Sequence, residues 1–218
     1  MADFFVLFVR VFGRIFYMGR TRKRRTRTGT RSRKPRRQAD GTLVFADYPD
    51  FRPNLTPREI FKLGSFGGTY WRPITSRVSR PSRSLRNVHK QYPASWWSGI
   101  PEGHLASKDY DKSINKYGVE VGTSLRFWET KGWISPTHPY GWVHWYCDFY
   151  KGKRDPEEDR RQTGRWARTA GPNSRFRRAL INMIKRKGAR YNDYTVSPKI
   201  RQVLQHWGYA LTARHFAA

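Results

Sequence analysis

A mainly α domain, compact and rich in aromatics, with long irregular segments and a disordered or extended basic N-terminal arm, is the fold this sequence predicts. Three observations carry the expectation. Apolar residues recur at helical spacing in the second half of the chain, cap-and-stop signals bracket those runs, and no run alternates as a half-buried strand would. The organisation that follows is an apolar segment over 1–18, an Arg-rich arm and connector over 19–53, and a helical domain over 54–218.

Residues Phe4 to Tyr17, FFVLFVRVFGRIFY, are apolar but shorter than the about 20 residues that a membrane-spanning helix needs. Arg10 and Arg14 interrupt the run four residues apart. This fits a helix lying in an interface, so peripheral membrane contact through residues 4–17 is one expectation. The basic residues follow the apolar run instead of preceding it, unlike a secretory signal. Met18 is an alternative start, which would leave the first 17 residues as an upstream extension.

The arm from Gly19 to Arg37 holds eleven cations and no acid: Arg20, Arg22, Lys23, Arg24, Arg25, Arg27, Arg31, Arg33, Lys34, Arg36 and Arg37. It has no side chain able to build a core and cannot fold alone. Thr and Ser interleave with the arginines, which suits phosphate oxygens better than isolated carboxylates. These eleven residues are the candidate polyanion-binding site. A solvated tail is the competing reading.

From Gln38 to Pro53 the chain reads as a connector. Thr56 then offers an N-cap, Pro57 the first helical position and Glu59 a capping box, with Leu55 and Ile60 as a hydrophobic staple and Gly64 as the stop. Ser65 to Pro73 reads as a turn around Gly67-Gly68, and Ile74 to Asn87 as an irregular basic loop. Next come the adjacent Trp96 and Trp97. Neighbouring residues point different ways, so either one lies in the core and the other at a protein contact, or both pack under a loop.

Thr123 or Ser124 caps a short helix through Leu125 and Trp128 that ends at Gly132. After Ser135-Pro136 comes the stretch around which the domain is organised, Pro139 to Tyr150. Trp142, Trp145, Tyr146 and Phe149 fall at i, i+3, i+4 and i+7, and Val143 and Tyr150 widen that face. Such a helix must be buried on most sides. An aromatic platform for stacking bases is the alternative. Asp155, Pro156 and Glu158 cap a further helix, closed by Gly171-Pro172. Ser174 opens another with Phe176, Leu180, Met183, Ile184 and Lys187 on one stripe, stopped by Gly188, and Ser197-Pro198 starts a last one with Ile200, Val203, Leu204, Trp207 and Leu211.

The charge balance bounds function. There are 44 Lys and Arg against 16 Asp and Glu, a formal +28, and self-repulsion of that size destabilises a compact state unless a polyanion neutralises it. Beyond the arm, the chain from Gln38 still carries 31 basic and 15 acidic residues, so the body is basic in its own right. Nucleic acid, an anionic membrane surface and an acidic surface inside an assembly are the partners this charge admits. A single cysteine excludes an internal disulfide and a Cys-rich zinc site, and makes an intracellular setting the default.

Catalytic signatures are missing from the sequence. Its six histidines form no paired ligand motif, and His144-x-x-Cys147 is half of one, set in an aromatic face. The acidic run Asp155, Glu157, Glu158 and Asp159 is expected to complement a helix dipole. There is no phosphate-binding glycine loop, nucleophile elbow or H-E-x-x-H. No catalytic residue, metal or cofactor is therefore assigned.

The strings FGGTYWRPI, SINKYGVEVGTSLRFWETKGWI, HPYGWVHWYCDFYKGKRDPEEDRRQTGRW and SPKIRQVLQHWGYALT carry a likeness. Over roughly Phe61 to Thr212 the chain resembles a little-characterised Trp-rich family of large DNA viruses of algae and protists. That resemblance implies a non-enzymatic structural protein of a virion, of the minor capsid type, in contact with other capsid proteins and assembled intracellularly. The expected division of labour places the arm on an anionic surface and the helical body against proteins. The alternative is a sequence-tolerant nucleic-acid-binding protein of ribosomal or genome-packaging type, for which arm and body cations would form one continuous stripe.

Overall fold

The computed structural model describes residues 34–78 and 82–217. In chain order the elements are β1 (Arg36–Arg37), β2 (Leu43–Val44), α1 (Pro57–Lys62), β3 (Ile74–Ser76), β4 (Arg83–Leu85), α2 (Leu125–Thr130), α3 (Trp142–Tyr150), α4 (Pro156–Ala170), α5 (Arg175–Arg186), α6 (Pro198–His206) and α7 (Ala213–Ala217). Short 3-10 turns fill the span between β4 and α2. The domain is mainly α and rich in aromatics.

The helices start where their caps dictate. Thr56 and Glu59 exchange both capping-box bonds, Glu59 N to Thr56 Oγ1 at 3.2 Å and Thr56 N to Glu59 Oε2 at 2.7 Å. Ser124 and Ser174 accept from the third backbone N–H of α2 and α5. At α4, Asp155 caps as expected, but the box is closed one residue later than its sequence pattern implies. Asp159 Oδ2, not Glu158, accepts from the Asp155 N–H, at 2.9 Å. Ser197 makes no side-chain cap and sits in the left-handed region at φ 52°, so α6 begins on Pro198 alone.

Four strands stand where none was expected. β1 pairs antiparallel with β2, and β3 with β4 in the register Ile74 opposite Leu85 and Ser76 opposite Arg83, so the stretch read as an irregular loop is a hairpin. With two or three residues apiece, these strands are too short to display a period of two. α6 also ends sooner than its apolar pattern, because Gly208 turns to φ 69°, leaving Leu211 outside the helix. The Gly208 carbonyl accepts from the Asn54 and Leu55 N–H groups at 2.9 and 3.0 Å.

α3 is the centre of the core. Trp142, Val143, His144, Trp145, Tyr146, Cys147 and Phe149 are all buried, which is more of the helix circumference than one amphipathic face. The core also begins before Asn54. Leu43, Phe45 and Phe51 are at most 2 % exposed, and the Phe51 ring lies 5.2–5.6 Å from those of Phe45, Trp145, Tyr146, Phe149 and Trp166. Burying two phenylalanines against α3 gains far more than leaving them on a solvated connector. From Lys34 onward the segment therefore belongs to the same compact unit as the helices.

A second layer joins α1 to α6 through amides. Gln205 Nε2 donates to Gly64 O and Ser65 Oγ, both at 2.9 Å, and to Ile60 O at 3.2 Å, supplying partners to carbonyls at the end of α1. Gln202 Oε1 accepts from Tyr117 N at 3.1 Å. Gly64 is needed for more than stopping α1. At φ 87° a Cβ there would collide with the Ile114 carbonyl, where the two backbones run together.

Candidate nucleic-acid interface

The exposed face of α5 is the candidate. The helix orients itself by Phe176, Leu180 and Ile184, all at most 1 % exposed, and turns Arg175, Arg178, Asn182, Lys185 and Arg186 to solvent. At 100° per residue those five fall within an arc of about 100°, so they form one stripe. Around this stripe, the sequence has eleven Lys or Arg and no acid between Asp159 and Asp193. Among the described residues, Arg175, Arg178, Lys185 and Arg186 have no ion-pair partner.

The stripe runs against local stability. Arg175 and Arg178 lie in the first turn, where the helix dipole disfavours cations, and no acid is present there to offset them. Like charges three or four residues apart add repulsion. An anionic chain laid along α5 would meet these charges together.

Other arginines of the body are committed internally. Arg177, one residue off the stripe, is buried with its guanidinium 4.5 Å over the Tyr209 ring, and burial lowers its pKa. Burial pushes Arg165 down to about 9, with its Nη1 on Trp133 O and Gln162 Oε1. Arg201 donates to Val196 O, Tyr191 O and Asp193 O, each at 2.9 Å. From the sequence pattern Arg177 groups with Arg175, Arg178, Lys185 and Arg186 as cations mostly off the apolar stripe. For Arg177 a signal was present, since it lies three before Leu180 and seven before Ile184; Lys187, assigned to the apolar stripe, is instead exposed past its end.

Of the predicted polyanion-binding residues, Arg20, Arg22, Lys23, Arg24, Arg25, Arg27, Arg31 and Arg33 lie outside the described residues, as does the 4–17 segment. Lys34 and Arg36 are exposed. Arg37 is not free for a partner. It reaches Glu59 Oε2 at 2.6 Å and the carbonyls of Gly41 and Asn54 at 3.4 Å, tying β1 to α1. Trp96 and Trp97 are both half-buried. Trp97 points inward, its N–H on His89 O at 2.9 Å and its ring edge-on to Phe61, while Trp96 stacks on Tyr92 with centroids 5.5 Å apart.

A group of titratable side chains packs on and around α3. His138 Nε2 is 3.6 Å from Asp148 Oδ2 and its Nδ1 is 3.9 Å from Glu158 Oε1, while Tyr92 donates to Asp148 Oδ1 at 3.1 Å. Burial raises the Asp148 carboxyl, but bonds from His138 and Lys153 outweigh it and hold the group at about 2. For Glu158 burial pulls upward too, and the Arg161 fork at 2.7 Å prevails and lowers it. Burial, helped by His138, drops His144 to about 3 and keeps it neutral. Burial also pushes the Cys147 thiol well above its ordinary value. Among the described residues no group of three or more His, Cys, Asp or Glu is arranged to hold a metal ion, and no helix is long and apolar enough to cross a membrane.

No protein-family model, curated protein or solved structure matches this chain.

Proposed function

We propose that this chain is a non-enzymatic, basic structural protein of a large assembly that binds nucleic acid without reading its sequence, using the α5 stripe together with the Arg-rich arm. The observation that carries the reading is the set Arg175, Arg178, Lys185 and Arg186, exposed, on one face and without acidic partners among the described residues. A helix bearing repulsive charge at its unfavourable end gains stability when phosphates neutralise it. This favours the nucleic-acid alternative within the structural reading, because cations belong to the body as well as to the arm. The resemblance to the Trp-rich viral family makes a virion the assembly, a minor capsid protein the role and other capsid proteins the neighbours. Peripheral membrane contact through residues 4–17 is a separate part of the same proposal.

The test compares two polyanions. A 20-base-pair duplex and vesicles containing phosphatidylserine are titrated with the full chain and with the Arg175→Ser/Arg178→Ser/Lys185→Ser/Arg186→Ser variant. Duplex affinity should fall in the variant. Binding to vesicles alone, with none to the duplex or to a 20-nucleotide single strand, overturns the nucleic-acid reading and leaves a membrane-surface protein.

A further inference from the structure

Lys116 stands on a turn that the fold holds from both sides. Its N–H donates to Gly64 O at 3.0 Å, and the N–H of Tyr117 donates to Gln202 Oε1 of α6 at 3.1 Å. Asn115, just before it, is buried; its side chain accepts from the Gly67 N–H and donates to Tyr110 OH and Val119 O, each at 2.8 Å. From this fixed backbone the lysine side chain reaches two tyrosines. Its Nζ is 5.4 Å from the ring centroid of Tyr117 and 5.4 Å from that of Tyr194, and the two rings meet edge-on with centroids 5.5 Å apart. Arg201 completes the group, with its Cζ 5.4 Å from the Tyr194 ring. That arginine is buried and donates to Val196 O, Tyr191 O and Asp193 O, each at 2.9 Å, which fixes its charge in place.

No acid pairs with this lysine. Among the described residues its Nζ has neither an ion-pair nor a hydrogen-bond partner, and the atom is not sealed from solvent. Asp193, on the loop that carries Tyr194, is taken up by the N–H and hydroxyl of Thr195, at 3.0 and 2.6 Å. The ring faces attract a cation, whereas burial, and after it the like charge of Arg201, disfavour one and lower the pKa of the amine. A lysine short of water and set beside a second cation is the arrangement that activates an amine as a nucleophile. We infer that Lys116 is a site of covalent acylation, its amine attacking the carbonyl carbon of a small acyl phosphate. The nitrogen lone pair forms the C–N bond, the C–O bond to phosphorus's oxygen breaks with its electron pair leaving on phosphate, and the surplus proton on nitrogen passes to water. Nothing is oxidised or reduced. The amide formed is neutral, so acylation removes one of two neighbouring like charges. The inference does not rest on the nucleic-acid reading of α5.

The experiment incubates the full chain with acetyl phosphate across a series of pH values and reads the acetylation rate at each lysine by peptide mass spectrometry. At neutral pH Lys116 should be acetylated several-fold faster than Lys151 and Lys185, which are exposed. Its rate should also level off at a lower pH than theirs. Tyr194 is 52 % exposed, so replacing it spares the core. Tyr194→Ala should open the amine to water and move the midpoint of the Lys116 pH profile upward, while Tyr194→Phe, which keeps the ring, should leave it in place. A midpoint for Lys116 equal to those of Lys151 and Lys185, or one that Tyr194→Ala does not move, overturns the inference. So does slower acetylation of Lys116 than of those two lysines at neutral pH.

Discussion

The indole N–H of Trp145, at the centre of α3, donates to Asp159 Oδ1 of α4 at 2.8 Å, with both residues 1 % exposed. The other carboxylate oxygen of Asp159 accepts from the Asp155 N–H at 2.9 Å and from Tyr48 OH at 3.4 Å. One side chain therefore completes the cap of α4, anchors the core tryptophan and reaches the segment before α1. Burial raises the Asp159 pKa and the Trp145 bond opposes that shift, as for a carboxylate placed in a core for its hydrogen bonds.

Trp145→Ala should cost about 3–5 kcal/mol, as loss of a large buried aromatic does. Asp159→Ala leaves the buried Trp145 indole N–H without its acceptor and should cost about 1–3 kcal/mol, the cost of one buried orphan. Urea unfolding of the two single variants and the double variant checks both. Because each single change removes the same bond, the double variant should lose less than the sum.

Gln205→Leu is a near-isosteric change that removes the amide donating to Ile60 O, Gly64 O and Ser65 Oγ, leaving Gly64 O to the Lys116 N–H, and about 1–3 kcal/mol of destabilisation is expected. Hydrogen exchange should rise at the end of α1 more than in α5. Uniform protection loss would contradict a local role.

Acid should unfold the domain early. Burial lowers His206 and His144 from 6.5 to about 3. His206 Nε2 accepts from the Phe66 N–H at 3.1 Å, and so must stay unprotonated. A histidine whose folded pKa is depressed contributes stability above its unfolded pKa, and that contribution is lost as pH falls from about 6.5 towards 3. Each can remove up to about 1.4 kcal/mol per pH unit in that window. His206→Gln should flatten the dependence of the unfolding midpoint on pH between 6.5 and 4; an unaltered slope argues that His206 is protonated in the fold.

Arg37 separates structural charge from ligand charge. Its pair with Glu59 is some 40 % exposed on each side, so Arg37→Ala should cost no more than about 1 kcal/mol. Duplex affinity should hardly change, unlike the effect of replacing Arg178 or Arg186.

What the sequence conveys of this fold is mostly its helix boundaries and its centre. Thr56, Ser124, Asp155 and Ser174 cap as their spacing predicts, and the i, i+3, i+4, i+7 aromatics of α3 do form the core. The strands were not legible because they are too short for any period. Asp159, Gln202, Gln205 and Arg165 were hidden for a different reason. Their burial depends on partners up to about a hundred residues or more away, such as Trp133 for Arg165 and Gly64 for Gln205, which no local pattern encodes. Phe45 and Phe51 were likewise lost in a polar connector. The arm's charge was obvious, whereas the α5 stripe emerged only once Arg177 was separated from Arg175 and Arg178 by burial.

The most direct measurement is the salt dependence of duplex binding by the full chain and by the Arg175→Ser/Arg178→Ser/Lys185→Ser/Arg186→Ser variant. Each phosphate neutralised contributes about −0.9 to the slope of log K against log salt. If α5 holds the nucleic acid, removing its four charges should make the slope shallower by about 2–4, in proportion to the phosphates no longer neutralised. A variant whose slope and affinity equal those of the unmodified chain would contradict the account and assign binding to the arm alone.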